Sequence, residues 1–466
     1  MLIDLTVIAV YIACMLGLGV IAMKRVKTRD DYLVAGRNLG PAFYVGTMSA
    51  TMLGGASTIG SIKLGYIYGI SGFWLCASLG LGIIGISLLL SKQLLKLNIY
   101  TVTQVLELNY NKNARYAAAV IMMMYALMVA ATSTIAMGTI MQVLFGIPFF
   151  WAVLLGGGIV VLYSTLGGMW SLTLTDIVQF AIMTVGLLFI LLPKAVTDAG
   201  GFAALSNISA TTFDFTAIGW DTIITYFLIY FLGVFIGQDI WQRVFTAKSG
   251  NVAKYAGVGA GVYCVFYGLG MALIGVAASV LLPNIDNPNN TFAEMVGLIL
   301  PDGVRGIVIA ATLAALMSTA SATLLAASTT CAQDLYPLIH HKLNKEVDFR
   351  HEKDYAKVRI NRLFTLVLGI VVLIVAQTIS DVVGALTVAY NLLVGGMLIP
   401  LIGAVYWQRA TTIGAIVSMI LGCLAVIIFM IIDGIFANTP IYYSLALGLV
   451  SFVLVSLCTK KDVKTA

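Results

Sequence analysis

Two carboxylates sit inside long apolar runs: Asp176 in GGMWSLTLTDIVQF and Asp239 in GVFIGQDIWQR. An acid in such a setting is held for a purpose, as a cation ligand, a proton carrier or the partner of a base. For Asp239 a base is at hand, since Arg243 follows four residues later on the same helical face and an i,i+4 pair is the expected arrangement. Asp176 is expected either as a cation or proton site or as a structural hydrogen-bond acceptor near one membrane face. Residues 310–330, AATLAALMSTASATLLAASTT, concentrate small and hydroxylated side chains, with Ser318, Thr319 and Ser321 near the middle. Such a stretch serves close helix packing, or it offers oxygens to a hard monovalent cation. A single positive charge needs several oxygens but no obligatory carboxylate, so hydroxyls on one helix and free carbonyls on another suffice. The segment 47–60, TMSATMLGGASTIG, can supply the carbonyls, because its Gly54–Gly55 pair weakens a helix in mid-run.

Catalytic groups are scarce by comparison. The three histidines, His340, His341 and His351, share one polar loop. The six cysteines (14, 76, 264, 331, 423, 458) lie in or at the end of apolar stretches, none at CxxC spacing, and read as small apolar residues. Neither an enzyme nor a disulfide or metal-cluster protein is expected.

These groups need a scaffold, and composition names its solvent. Of 466 residues, 60% are apolar and only 10% charged, against roughly 25% charged in a soluble domain. A water-facing surface cannot be covered with so few charges, which excludes a soluble enzyme, a disordered chain and a nucleic-acid binder. The expected class is an all-α polytopic membrane protein, since apolar stretches of about twenty residues recur and the alternating ten-residue segments of a membrane β-barrel do not.

Thirteen spans are expected, at 2–23, 41–70, 72–97, 115–143, 148–166, 171–195, 220–246, 252–283, 303–331, 359–378, 381–407, 411–434 and 441–458. With that count, 23 Lys and Arg fall in the segments after odd-numbered spans and 2 on the opposite side, with Lys63 left within a span. The positive-inside rule then puts the N-terminus outside and the C-terminus in the cytoplasm. No separate soluble domain is expected, and the net charge of +6 follows from this topology rather than from an acidic partner. Lys63 lies eight residues beyond the glycine pair, about 12 Å toward the outside at helical rise. It would reach the outer interface or line an outer vestibule and attract anions.

The helix of 41–70 should break at Gly54–Gly55, and that of 220–246 at 233–243, where glycines and polar groups again interrupt the apolar run. The two breaks lie five spans apart. An odd offset inverts the second copy in the membrane, so paired breaks point to an inverted-repeat transporter with its site between them. The first repeat would run over 41–195 and the second over 220–407.

The chain resembles the sodium:solute symporter family. The resemblance rests on DDYLVAGRNLG at 30–40, GGMWSLTLTDIVQ at 167–179, GQDIWQR at 237–243 and AALMSTASATLLAASTTCAQDLY at 314–336, and it extends over essentially the whole chain. It implies the LeuT-type fold of inverted five-helix repeats and a main sodium site formed by carbonyls of Ala50, Leu53 and Ala315 with hydroxyls of Ser318 and Thr319. It also implies a second sodium site in some members, at positions matched here by Asp176 and Ser321. The adjacent position is Ala322, where two-sodium members carry Ser. In the substrate region Met52, Ala56 and Ser57 occupy positions where sugar-transporting members carry polar or acidic groups, and the proline branch has an acid where Met52 stands. Ser57 occupies a common substrate-contact position. Thr58, Gln238, Thr132 and Asn391 are further candidates as polar groups at the expected cavity depth.

The leading expectation is a sodium-coupled symporter that imports a small polar solute by alternating access, leaning to an amino acid or organic acid, in a bacterial cytoplasmic membrane. Its partners would be the solute, sodium and the lipid bilayer, with no nucleic acid and no obligate protein partner. The alternatives are a proton-coupled transporter using Asp176, and an ion channel, for which no filter-like repeat is present.

Overall fold

The structure is a computed structural model that describes residues 1–338 and 354–460. The loop histidines 340, 341 and 351, and the lysines at 461 and 464, lie outside the described residues. The described chain is helical, with one isolated bridge where Leu39 pairs with Ala247.

Fourteen helices carry the argument. They are α1 (Leu2–Met23), α2 (Pro41–Met52), α3 (Ser61–Tyr68), α4 (Trp74–Leu89), α5 (Lys112–Phe145), α6 (Phe149–Asp198) and α7 (Trp220–Val234). They continue with α8 (Gln238–Val244), α9 (Val252–Leu281), α10 (Val304–Thr330), α11 (Ala356–Val375), α12 (Val382–Tyr406), α13 (Thr412–Asp433) and α14 (Thr439–Cys458). Among the described residues, ten helical runs are long and apolar enough to cross a membrane, and α7 with α8 forms one further candidate bent by 46°.

The longest run, α6, has 50 residues, about 75 Å at helical rise against a hydrocarbon core of roughly 30 Å. It turns at Gly168, where φ is +50° and ψ −137°. A side chain there would be strained by its backbone and would strike the Tyr32 carbonyl at 2.5 Å. Only glycine lets the loop after α1 pack into that corner.

The centre of the molecule is α10, which is buried almost throughout and packs on α1, α2, α5 and α6. Its alanines explain the position. In lipid, apolar area gains little by leaving the solvent, so helices associate by close packing of small side chains. The periphery is the reverse, with large apolar side chains such as Ile431 and Leu454 exposed on α13 and α14, where lipid would meet them.

An acid absent from the sequence expectations ties α10 to α1. Asp4 is fully buried; it accepts the backbone amides of Gly303 (2.8 Å) and Gly306 (3.0 Å) and the Arg305 guanidinium (2.6 Å). It thereby satisfies amides at the start of α10 that the helix itself cannot.

Candidate functional site

Helix α2 ends at Met52. Leu53 leaves helical geometry, with φ −92° and ψ 60°, and the chain regains a helix through a π turn over Ala56–Gly60 that leads into α3. Freed carbonyls in an apolar interior need donors, and hydroxyls supply them. Ser57 Oγ donates to the Met52 carbonyl at 2.7 Å, and Thr58 Oγ1 approaches the Leu53 carbonyl at 3.4 Å. The Gly55 amide donates to Ser133 Oγ at 3.2 Å.

Helix α10 meets this break directly. Ser318 Oγ lies 2.7 Å from the Ala50 carbonyl and 2.8 Å from the Ala315 carbonyl. Thr319 Oγ1 lies 2.8 Å from the Thr51 carbonyl and 3.4 Å from that of Ala50. The close approach depends on Gly54, since a Cβ there would fall 2.5 Å from Thr319 Oγ1. Four of the five expected sodium ligands, Ala50, Ala315, Ser318 and Thr319, are therefore neighbours. The Leu53 carbonyl stands one residue before the glycine pair, facing the Thr58 hydroxyl.

Asp176 is paired otherwise than the sequence suggests. Its carboxylate accepts the Arg243 guanidinium at 3.0 Å and the Thr47 hydroxyl. Arg243 also donates to Thr51 Oγ1 at 2.8 Å and contacts Met169 Sδ. The expected Asp239–Arg243 pair does not form. The reason is reach: the guanidinium extends to α2 and α6, away from the turn that holds Asp239. Asp176, Arg243, Thr51 and Thr319 thus form a continuous polar chain to the α2 break. Ser321 Oγ donates to the Ser318 carbonyl at 2.9 Å.

A small cavity lies against the break. Its free volume of about 20 Å³ is enough for a water molecule, and Gly54, Ser57, Thr132, Asp239 and Tyr390 are among the residues that line it. Of the five expected substrate residues, Ser57 and Thr132 line this cavity. Both hydroxyls bond backbone carbonyls, that of Thr132 to Met128 at 2.9 Å. Thr58 is turned to the Tyr267 hydroxyl at 2.9 Å. Gln238 clamps a loop: its Oε1 accepts the Val102 amide at 2.9 Å and its Nε2 donates to the Tyr100 carbonyl at 2.8 Å. Asn391 donates to the Thr387 carbonyl at 2.9 Å, while its neighbour Tyr390 forms cavity wall. The acid that lines the cavity, Asp239, was expected to be neutralised and was not a candidate. The signal available for it was its place beside the second helix break.

In the first turn of α3, Lys63 Nζ lies 2.6 Å from Asp381 at the start of α12. The two side chains are partly buried and neutralise each other, so a free positive field from Lys63, as expected for an anion-attracting vestibule, is not what the geometry offers.

The fold is shared with a solved transporter, and the sequence with a transporter family. The family model for the sodium:solute symporter family matches residues 32–422. The chain belongs to that family. The symporter is 26% identical to the osmoregulated proline transporter of Bacillus subtilis, over 98% of this chain and 95% of that one. It is 28% identical to the sodium/pantothenate symporter of Escherichia coli, over 95% of this chain and 94% of the other. A solved structure of a Na+-coupled sialic acid symporter, substrate-bound and outward-open, superposes with a TM-score of 0.85 at 21% identity, covering 99% of both chains. The protein is accordingly a sodium-coupled symporter and not an enzyme, with sodium as its coupling ion and a multi-pass membrane location.

Proposed function

We propose that the symporter imports a small polar organic solute, an amino acid or organic acid, with one sodium ion, by alternating access. The observation that carries this is the convergence of the Ser318 and Thr319 hydroxyls on the carbonyls of Ala50, Thr51 and Ala315 at 2.7–2.8 Å. Ala50, Leu53 and Ala315 would hold the ion by their carbonyls, and Ser318 and Thr319 by their hydroxyls. All are neutral oxygens, which suits a hard monovalent ion. When bound, the ion supplies the charge that ties α2 to α10. Ser318 and Thr319 now donate their protons to the carbonyls, so both hydroxyls must rotate to present lone pairs. Each bond given up nets only about 0.5–1.5 kcal/mol, so the exchange is cheap and the break can respond to sodium. Coupling to solute is then a difference in affinity between the outward and inward states.

A second sodium at Asp176 and Ser321 is not part of this reading. Arg243 already supplies a positive charge to Asp176, and Ala322 offers no hydroxyl beside Ser321.

The same reading takes thirteen crossings in two inverted repeats, 41–195 and 220–407. Ten runs and the bent α7–α8 pair give that number when α6 is counted twice, at Gly168, and the Ala56–Leu89 run twice, at Gly69 with φ +66°. The N-terminus is then outside and the C-terminus cytoplasmic, as the 23-to-2 split of basic residues requires. The solute class is supported by relatives named for proline and for pantothenate, both of which carry a carboxylate.

The test is uptake into proteoliposomes with Ser318→Ala and Thr319→Ala. Each change removes one ligand while alanine keeps the helix, and should raise the sodium concentration for half-maximal uptake about tenfold, the loss of one good oxygen contact. Wild-type sodium dependence in both variants would refute the site.

A further inference from the structure

Among the described residues, Asp239 is the one charged side chain on the wall of the central cavity. It is only 3% exposed, and the hydroxyl of Tyr125 donates to its Oδ1 at 3.1 Å. The nearest base in sequence, Arg243, is committed to Asp176. Among the described residues no Lys or Arg forms an ion pair with Asp239. The backbone amides of Asp239 itself and Ile240 also hold the carboxylate, and Arg243 acts on it only from beyond ion-pair distance. A buried carboxylate with no direct ion-pair partner is still costly to keep, and this one lines the cavity in which the proposed function would seat the solute. We infer that Asp239 anchors a positively charged nitrogen on the transported solute, so that the cavity takes an amino acid or a similarly small amine-bearing zwitterion rather than a plain carboxylate. This deepens the proposed function and rests on it.

The surroundings of the carboxylate suit an ammonium group. Tyr390 is a wall of the cavity, and the Tyr125 ring meets it edge-on with centroids 5.1 Å apart. The negative face of an aromatic ring attracts a cation and repels an anion. Gly237 keeps the approach open, because a Cβ there would lie 3.0 Å from Asp239 Oδ1 and 3.3 Å from the Tyr125 hydroxyl. The other end of a zwitterion has a place as well. Gly54, Gly55 and Ala56 line the same cavity, and backbone amides at a helix break can meet a carboxylate without a basic side chain. Distance along the chain makes the two groups independent: Asp239 follows the break of the seventh span, whereas the glycines belong to the break of the second.

The experiment uses the purified full-length symporter in sodium, with thermal stabilisation read against a fixed set of probes. These are the neutral amino acids including proline, propionate and pantothenate as carboxylates without an ammonium, and glucose as a neutral solute. Stabilisation should come from amine-bearing probes. Asp239→Asn should weaken the best of them by about tenfold or more, as expected when one partner of a buried charge pair is removed. Tyr125→Phe should weaken it severalfold, since the carboxylate survives but loses its positioning bond. Sodium alone should still stabilise both variants, which shows that they are folded. The inference is overturned if no amine-bearing probe stabilises the wild type, if propionate, pantothenate or glucose does so better, or if Asp239→Asn leaves the preference unchanged. It is also overturned if Asp239→Asn removes the response to sodium, because the acid would then serve the ion. Failure of the underlying sodium reading shows separately, as unaltered sodium titrations in the Ser318 and Thr319 variants without any solute.

Discussion

At the break between α2 and α3 the released backbone is answered by neutral groups. Ser57, Thr58, Ser318 and Thr319 all direct hydroxyls at carbonyls between Ala50 and Leu53. At the break between α7 and α8 the answering groups are amides and charges that reach to other parts of the fold. Gln238 holds the loop at 100–102, Gln242 donates to the Leu33 carbonyl at 2.7 Å, and Arg243 pairs with Asp176 on α6. A hydroxyl–carbonyl bond nets about 0.5–1.5 kcal/mol and can be traded for another. A buried ion pair costs about 3–5 kcal/mol to break from one side. The first break is therefore built to exchange partners with an ion, and the second to stay anchored while it presents Asp239 to the cavity. The two breaks thus carry different duties, one responsive and one fixed.

The sharpest way to break that contrast is at the anchor. Arg243→Ala leaves Asp176 buried without its base and should destabilise the protein by about 3–5 kcal/mol, measured as a lower melting temperature in detergent and reduced yield. Asp176→Asn should be milder, because the amide can still accept from Thr47. The double variant Asp176→Asn with Arg243→Gln should be more stable than Arg243→Gln alone, since it removes both charges together. In Asp176→Asn the Hill coefficient for sodium should stay at its wild-type value. A fall in that coefficient would return Asp176 to the role of second sodium ligand.

A smaller effect is expected at Gln238. Its side chain bonds the Val102 amide and the Tyr100 carbonyl, and Gln238→Ala orphans both. A cost of about 1–3 kcal/mol follows from leaving buried polar groups unpaired, with no change in the order of preferred solutes. A changed solute order would make Gln238 a substrate ligand after all, and the second break would then be less of a fixed post than its bonds indicate.

How much of this was legible in the sequence depended on whether the relevant interaction is local. The glycine pair at 54–55 and the hydroxyl stripe at 318–321 are properties of single segments, and the structure brings them face to face. The membrane class followed from composition. Pairings across helices were not legible by spacing. The i,i+4 rule linked Asp239 to Arg243, but a long side chain on a broken helix is free to find a deeper acid on another span. Gln238 has the polarity and depth of a cavity residue and turns to a loop instead, which no periodicity reveals. Asp4 escaped notice because a first-turn acid ordinarily reads as a helix-dipole partner. Its value as a cap for α10 depends on a contact some three hundred residues away.

The smallest expected effect is at the contact between α3 and the start of α12. Lys63 follows the first break on α3, Asp381 begins α12, and their 2.6 Å contact joins the elements that carry the two sides of the cavity. The pair is only partly buried, at 15% and 26% exposure, so its worth should be about 0–1 kcal/mol. Lys63→Gln should therefore change the melting temperature little. A free lysine would steer anions, and its loss would slow uptake of an anionic solute most at low ionic strength. A lysine neutralised by Asp381 has no such field to lose, so uptake should show the same salt dependence before and after the change. The contact should instead be felt where it joins α3 to α12: weakening it favours states in which those helices are apart, and apparent solute affinity should shift by no more than a few-fold. A salt-sensitive slowing of anion uptake in Lys63→Gln would mean that the lysine spends its working life away from Asp381, and it would count against the ammonium preference assigned to Asp239 as well.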